Sequence, residues 1–111
     1  MKNILLISML LLVLSSNTFA QDIYVKYRGM VDVSNGQFKH LSLKDSKLIK
    51  SMYHDNGNSY LLVQLKSTYY HYCSIPQGEI SNWRKSASLG RYYKRNIKGR
   101  YSCKGNPVPN Y

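Results

Sequence analysis

The side chains best suited to acid–base catalysis in this sequence are those of three histidines, His40, His54 and His71. Two imidazoles beside a lysine can transfer protons as in a ribonuclease, and this chain offers many lysines. No spacing places the histidines together, because the local patterns put His71 inside a strand and His54 at the edge of a turn. A small ribonuclease-like hydrolase is therefore the least favoured function, and we predict that the protein is not an enzyme.

Metal and cofactor motifs are also missing from the sequence. The histidines and cysteines do not have the spacing of zinc ligands. The sequence contains no Gly-rich phosphate loop, and its five acidic residues form no evident pair for acid–base catalysis. We therefore predict neither a bound metal nor a small-molecule cofactor.

The basic residues are the next group that can recognise a ligand. The chain has 16 Lys and Arg against five Asp and Glu, for a formal charge of +11. Seven of them lie on or beside the two predicted helices: Arg84, Lys85, Arg91, Lys94, Arg95, Lys98 and Arg100. Spaced three and four residues apart, such side chains can contact successive anionic groups, although a solvated helix face has the same pattern. The charge favours an anionic partner without identifying it.

Eleven tyrosines make the chain unusually aromatic, and three of them fall in one short motif. The motif is Tyr69, Tyr70, His71 and Tyr72. In a strand, Tyr70 and Tyr72 share one face, and Tyr69 and His71 share the other. Exposed rings on a sheet can stack on nucleobases. Alternatively, Tyr70 and Tyr72 pack beneath the helices, which leaves Tyr69 and His71 exposed.

The first twenty residues are typical of a secretory signal peptide. Lys2 gives a positive start, residues 4–14 are apolar, and small residues precede a cleavage point after Ala20. Eleven residues in a helix span only about 16 Å, too short for a bilayer core of about 30 Å. We predict a protein exported to the periplasm or the medium, with no transmembrane anchor in the mature chain.

Export bears on the cysteines, Cys73 and Cys103, which are the only two in the chain. An isolated pair in an oxidising compartment usually forms a disulfide, and two free thiols are the alternative. Closing a loop of this length stabilises a small domain by about 3–4 kcal/mol in the chain-entropy model. We predict the bridge.

The elements that must position these residues begin with strands. Alternating apolar residues predict strands at 48–53, 60–65 and 69–73, and Asn56-Gly57 predicts a tight turn between the first two. Residues 21–44 are predicted to be an N-terminal extension that can add a hairpin, and residues 104–111 a flexible tail.

Two helical patterns follow the strands. Pro76 and Glu79 suit the start of one helix, Ser88 suits the N-cap of another, and Gly99 suits its end. Apolar residues recur at helical spacing in both patterns: Ile80, Trp83 and Ala87, then Leu89, Tyr93 and Ile97. The predicted fold is α+β, a small antiparallel meander of three or more strands followed by two short helices packed on one face.

The order of these features resembles the KTSC domain family over residues 45–103. The resemblance rests on Tyr70-His71-Tyr72, Ile75-Pro76, Ser88-x-Gly90 and Tyr92-Tyr93 followed by Ile97. This family occurs at the C-terminus of some lysyl-tRNA synthetases and as single-domain bacterial proteins. It implies no established activity, and RNA binding is its only suggested role. Ser67-Thr68 replaces a glycine that is common in the family, and Lys94 replaces a common asparagine.

These observations predict an exported, monomeric, non-catalytic module that presents a basic, aromatic-rich surface to an anionic partner. Nucleic acid is the first candidate partner. An envelope polymer or an acidic protein is the alternative, and it needs charge alone rather than aromatic stacking.

Overall fold

The computed structural model describes residues 20–111, so residues 1–19 of the predicted signal peptide lie outside the described part of the chain. Six strands form one sheet: β1 (Asp22–Val25), β2 (Gly29–Asp32), β3 (Lys39–Leu41), β4 (Ile49–Asp55), β5 (Tyr60–Leu65) and β6 (Thr68–Tyr72). Their spatial order is β2-β1-β6-β5-β4-β3.

The sheet is mixed, which corrects the prediction of an antiparallel meander. Strands β4, β5 and β6 do form the predicted antiparallel meander. Strand β1, however, lies parallel to β6, with Val25 opposite Tyr69. The N-terminal extension therefore joins the sheet on both sides, with the hairpin β1–β2 beside β6 and β3 beside β4. The two strands of that hairpin, β1 and β2, meet through the turn at 26–28.

The turn between β4 and β5 is closed by Asp55. Its carboxylate accepts hydrogen bonds from the backbone N–H of Asn58 at 3.3 Å and from the Asn58 side-chain amide at 2.7 Å. An aspartate that bonds to the backbone a few residues ahead is typical of tight turns. The turn fixes the register in which Tyr60 stands opposite Asp55.

Two short helices follow, α1 (Gln77–Lys85) and α2 (Leu89–Tyr92), and the chain then continues as a π-helical turn, Tyr93–Ile97. The Ser88 hydroxyl caps α2 by accepting a hydrogen bond from the N–H of Arg91 at 3.2 Å. Pro76 is the residue before α1 rather than within it, and Ala87 lies exposed between the helices instead of on a buried face. A helix that ends at Lys85 cannot carry the predicted stripe as far as Ala87.

The helices cover one face of the sheet and enclose what we call the helix-side core. Trp83 is fully buried there, and its indole N–H donates to the carbonyl of Leu89 at 2.9 Å. Leu89, Tyr93 and Ile97, the predicted stripe of the second helix, are buried in the same core. Strand residues such as Leu61 complete it. The α+β class with two helices on this face is confirmed.

The opposite face holds a second core, built largely from the two ends of the described chain. Its members are Val25, Val31, Val33, Tyr53, Tyr60, Leu62, Cys73 and Cys103. The predicted disulfide is confirmed, since Cys73 and Cys103 are joined with their Cα atoms 4.9 Å apart. The tail, predicted to be loose, forms no helix or strand, but the ring of Tyr111 packs 4.3 Å from that of Phe38.

Candidate functional site

A tyrosine-rich recess opens where β6, the β1–β2 turn and the chain after the π-helical turn meet. We call it the tyrosine pocket, and its volume is about 620 Å³. Its lining residues are Tyr27, Tyr70, His71, Tyr72, Tyr93, Gly99, Arg100, Tyr101, Ser102, Cys103, Lys104, Asn106 and Val108. Arg100 and Lys104 are the cations of this lining, and none of its residues is acidic. The pocket thus combines aromatic walls with positive charge.

The deep side of the tyrosine pocket is formed by Tyr72 and Tyr93. Both side chains are buried, their hydroxyls lie 3.0 Å apart, and their rings meet edge to face at 6.3 Å between centroids. Burial raises the pKa of Tyr72 far above the usual value, and the hydrogen bond to Tyr93 adds to the shift. The Tyr72 hydroxyl therefore stays neutral, and the mutual hydrogen bond fixes both rings, so this side of the pocket is a rigid surface.

Tyr101, on another wall, is held by Glu79 of α1. The Tyr101 hydroxyl donates to one carboxylate oxygen of Glu79 at 2.8 Å, and the Tyr92 hydroxyl donates to the other. The hydrogen bond to Glu79 raises the pKa of Tyr92 to about 12. One carboxylate thus clamps both tyrosines, and its two oxygens are occupied inside the domain.

His71 connects the tyrosine pocket to the second core. Its Nδ1 lies 2.9 Å from the Tyr60 hydroxyl, and that hydroxyl also receives a hydrogen bond from Arg28 at 3.2 Å. The Tyr60 hydroxyl can donate to Nδ1 while it accepts from Arg28, and in that arrangement the imidazole hydrogen lies on Nε2. Burial lowers the pKa of His71, and the nearby Arg28 guanidinium lowers it further. A neutral, held imidazole suits a positioning role.

The other histidines lie elsewhere. His40 is on β3, where its ring stacks on Tyr53 at 4.3 Å and its Nε2 lies 3.0 Å from the Ser51 hydroxyl. His54 is buried on the helix-covered face and lines a separate recess beside α1. The three histidines therefore lie in three separate environments. Among residues 20–111, no group of three His, Cys, Asp or Glu side chains is arranged to hold a metal ion.

The seven predicted anion-binding residues do not share one surface. Arg100 lines the tyrosine pocket, whereas Arg91, Lys94 and Arg95 line shallow clefts beside α2. Lys85 and Lys98 are exposed away from the pocket lining. Arg84 has a structural role, because its guanidinium donates to the Ser42 carbonyl at 2.9 and 3.2 Å and so ties α1 to the chain after β3.

The aromatic motif is likewise divided between the faces of the sheet. Tyr70 and Tyr72 lie on the helix-covered face, where Tyr72 is buried and Tyr70 packs against the edge of the core while lining the tyrosine pocket. Tyr69 and His71 are half-buried rather than fully exposed. Tyr69 packs against the second core, with its ring 6.3 Å from Tyr53, because residues of the N-terminal extension cover that face.

Sequence reasoning missed several residues of the site, namely Lys26, Tyr27, Tyr101 and Lys104. The Lys26 Nζ lies 5.2 Å from the centre of the Tyr27 ring and 5.7 Å from that of Tyr70. No motif marks these four residues. The high tyrosine content was the one available signal, and it does not say which rings converge.

A protein-family model for the KTSC domain matches residues 45–101 of the chain. The protein belongs to the KTSC domain family. A crystal structure of a KTSC domain protein from Yersinia pestis superimposes with a TM-score of 0.53 at 26% sequence identity, covering 58% of this chain and 93% of that one. No curated protein matches the chain significantly. The activity of the KTSC domain is unknown.

The tyrosine pocket extends beyond the matched part of this KTSC protein. Residues 45–101 supply Tyr70, Tyr72, Tyr93, Arg100 and Tyr101. The β1–β2 turn and the chain after residue 101 supply the remaining wall.

No helix within residues 20–111 is long and apolar enough to cross a bilayer.

Proposed function

We propose that this KTSC protein is an exported, non-catalytic module that binds single-stranded nucleic acid, with a base in the tyrosine pocket and phosphates on Arg100 and Lys104. The observation that carries the proposal is the convergence of tyrosines with two cations in one recess that contains no acid. Stacking on tyrosine is possible for every base, and each stack is worth about 1–3 kcal/mol. Phosphates pair with basic side chains, which makes affinity fall as salt rises.

The rigid side of the pocket supports the same proposal. Tyr72 and Tyr93 are fixed by their mutual hydrogen bond, and Tyr101 is fixed by Glu79. A ligand ring that enters such a pocket orders few side chains, so little of the stacking energy is lost to conformational entropy. A single strand can enter because its bases are unpaired, whereas a duplex keeps its ring faces stacked inside the helix.

The non-catalytic part of the proposal rests on the placement of the histidines. His71 is the one histidine in the lining of the tyrosine pocket, and its Nδ1 is engaged with Tyr60. His54 and His40 lie on other parts of the sheet. A ribonuclease-type mechanism needs a second proton-transferring group beside the same phosphate.

A second candidate function is charge-driven binding of an envelope polymer or an acidic protein. The exposed cations on α2 and the π-helical turn favour it, because Arg91, Lys94 and Arg95 lie outside the tyrosine pocket. Such binding would depend on those charges and would not need aromatic rings.

The two candidates are separated by measuring the affinity of matched variants across a salt series. The ligands are single-stranded RNA, single-stranded DNA and inorganic polyphosphate. We expect Tyr70→Leu to weaken nucleic-acid binding about 5- to 150-fold and to leave polyphosphate binding unchanged, because leucine retains packing but cannot stack. Tyr70→Phe, the matched control, should retain most of the affinity.

The opposite pattern would support the second candidate. In that case Arg91→Glu with Lys94→Glu would weaken binding of all three polyanions alike, and Tyr70→Leu would have no effect. Equal affinity of the unaltered protein for nucleic acid and polyphosphate at every salt concentration would contradict the nucleic-acid proposal.

A further inference from the structure

The hairpin β1–β2 exposes large apolar side chains beside the tyrosine pocket. Tyr24 and Met30 stand directly opposite each other across the two strands, and each is 62% exposed. Their neighbours Val25 and Val31 point into the second core, so Tyr24 and Met30 point to the helix-covered face. We call this exposed pair the hairpin platform. Two adjacent exposed apolar side chains offer a small apolar surface on which a flat ring can pack.

Tyr27, in the turn of the same hairpin, adds an independent observation. It is 81% exposed, and its backbone φ is +70°. A left-handed conformation is costly for a bulky side chain, and glycine or asparagine usually occupies such a position. Strain of this kind is concentrated at functional sites. Here it holds an aromatic ring at the rim of the tyrosine pocket.

Lys26 lies between two recesses. Its Nζ is close to the rings of Tyr27 and Tyr70, which both line the tyrosine pocket. Lys26 also lines a second recess of about 540 Å³, together with Tyr24 and Thr68. One cation is thus placed between an aromatic pocket and an aromatic platform. Adjacent bases of a single strand are likewise joined through one phosphate.

From this arrangement we propose that the hairpin platform binds the base next to the one in the tyrosine pocket, with the linking phosphate on Lys26. This inference rests on the proposed function and adds the number of bases that the site reads. The hairpin also limits the site, because Asp22 and Asp32 are paired at its far end. Two carboxylates there repel a further phosphate. The hairpin platform therefore extends the site by one base.

The test uses the oxidised full chain and two short single-stranded oligonucleotides. They have the same number of phosphates, but one carries an abasic sugar beside its central base. The normal oligonucleotide should bind about 5- to 150-fold more tightly than the abasic one, as expected for one additional stacked base. Replacing both platform residues, Tyr24→Thr and Met30→Thr, should bring this ratio close to one. Threonine keeps the strand propensity of the hairpin.

A second variant tests the linking phosphate. Lys26→Gln should weaken both oligonucleotides by the same factor and reduce the salt slope, because it removes a phosphate contact. Lys39→Gln, at the opposite edge of the sheet, is the matched charge control and should change neither affinity.

The outcomes separate the inference from the proposed function. If the unaltered protein binds both oligonucleotides equally, or if the double variant keeps the full ratio, the hairpin platform is not a base site. If Lys26→Gln has no effect on either, the assignment of the linking phosphate is overturned. If neither oligonucleotide binds even at low salt, the proposed function itself fails.

Discussion

The two faces of the sheet are closed by different means. The helix-side core is covered by α1, α2 and the π-helical turn, and it lies almost entirely within residues 45–101, the part that matches the KTSC family. The second core is closed by the β1–β2 hairpin, a disulfide and Tyr111, which come mainly from outside that part. The first face is thus covered by helical segments of the matched domain, and the second by added segments that a covalent bridge and the Tyr111 ring hold in place.

This difference shows how a family domain can be extended without changing its core. The curled sheet leaves its second face for added segments to cover. The cover is held by specific links, since Arg28 lies 5.3 Å from the ring centres of both Tyr60 and Tyr111 and donates to the Pro109 carbonyl. The tyrosine pocket forms where these segments meet the family core. The lining of the tyrosine pocket therefore depends in part on segments outside the matched residues 45–101.

The largest expected effect comes from emptying the helix-side core. Trp83 is fully buried, and its ring contacts those of Tyr92 and Tyr93. Trp83→Ala should lower the free energy of unfolding by about 3–5 kcal/mol, because it leaves a cavity and removes the hydrogen bond from the indole N–H to the Leu89 carbonyl. Urea denaturation followed by circular dichroism measures this change. Trp83→Phe should cost less, and a loss below about 1 kcal/mol for Trp83→Ala would contradict the described packing.

Removing the disulfide should have a slightly smaller effect that is concentrated on the second face. Cys73→Ser with Cys103→Ser is expected to lower the free energy of unfolding by about 3 kcal/mol, since the bridge closes a loop with a sequence separation of 30. Hydrogen exchange should accelerate in β1 and β2 more than in α1. Chemical reduction of the unaltered protein is the control and should give the same pattern. Equal acceleration on both faces would mean that the cores do not respond separately.

Substitutions of Tyr111 test whether its side chain stabilises the packing of the C-terminal tail against the second core. Its hydroxyl donates to the Asp55 carboxylate at 2.7 Å, and burial together with this bond raises the pKa of Tyr111. Tyr111→Phe removes only the bond to a charged acceptor and should cost about 1–2 kcal/mol in unfolding experiments. Tyr111→Ala should cost more, because it also removes the packing on Phe38. If both variants are as stable as the parent, the tail does not contribute to the second core.

The smallest expected effect is a pH dependence of the free energy of unfolding, and it arises from a histidine on the helix-covered face. Burial lowers the pKa of His54, although the nearby Asp55 carboxylate opposes the shift. The Nε2 atom of His54 is buried without a hydrogen-bond partner among residues 20–111. The unfolded chain therefore takes up a proton first as the pH falls below about 6.5, so stability decreases from there towards the lower folded pKa. Urea midpoints at pH 7.5, 6 and 5 measure the decline.

His54→Gln should flatten this dependence, and His40→Gln, the control on β3, should leave it in place. His71 contributes in the same direction, because its pKa is also lowered by burial and by Arg28. A midpoint that does not change between pH 7.5 and 5 would contradict the buried, unpaired position of His54. Losses that appear only below about pH 3.8 would instead reflect Asp55, whose hydrogen bonds with Asn58 and Tyr111 outweigh the effect of burial and keep its pKa low.

Local patterns were sufficient for the family core but not for the second face. Alternation predicted β4, β5 and β6, and the spacing of Leu89, Tyr93 and Ile97 predicted a buried stripe, because these signals depend on nearby residues. The parallel pairing of β1 with β6 depends on contacts between segments far apart in sequence, which no local period encodes.

The site was predictable to a similar extent. The charged residues and Tyr70 with Tyr72 were evident as residue types, and Cys73 with Cys103 as a pair. Tyr27 and Lys104 join the tyrosine pocket only because the hairpin and the tail fold back towards β6. Arg84 looked like part of a basic stripe, yet its guanidinium is bonded to Ser42. Such a contact is created by the tertiary structure and leaves no trace in the helical spacing.

Binding in the tyrosine pocket is tested most directly by an amide chemical-shift map of the oxidised protein titrated with a short single-stranded oligonucleotide. We expect saturable shifts at Tyr27, Tyr70 and Tyr101 and in the adjoining chain to Lys104, with small shifts in the exposed face of α2. Shifts confined to Arg91–Lys98, with none around the tyrosine pocket, would show that charge alone attracts the ligand and would contradict binding of a base in the pocket.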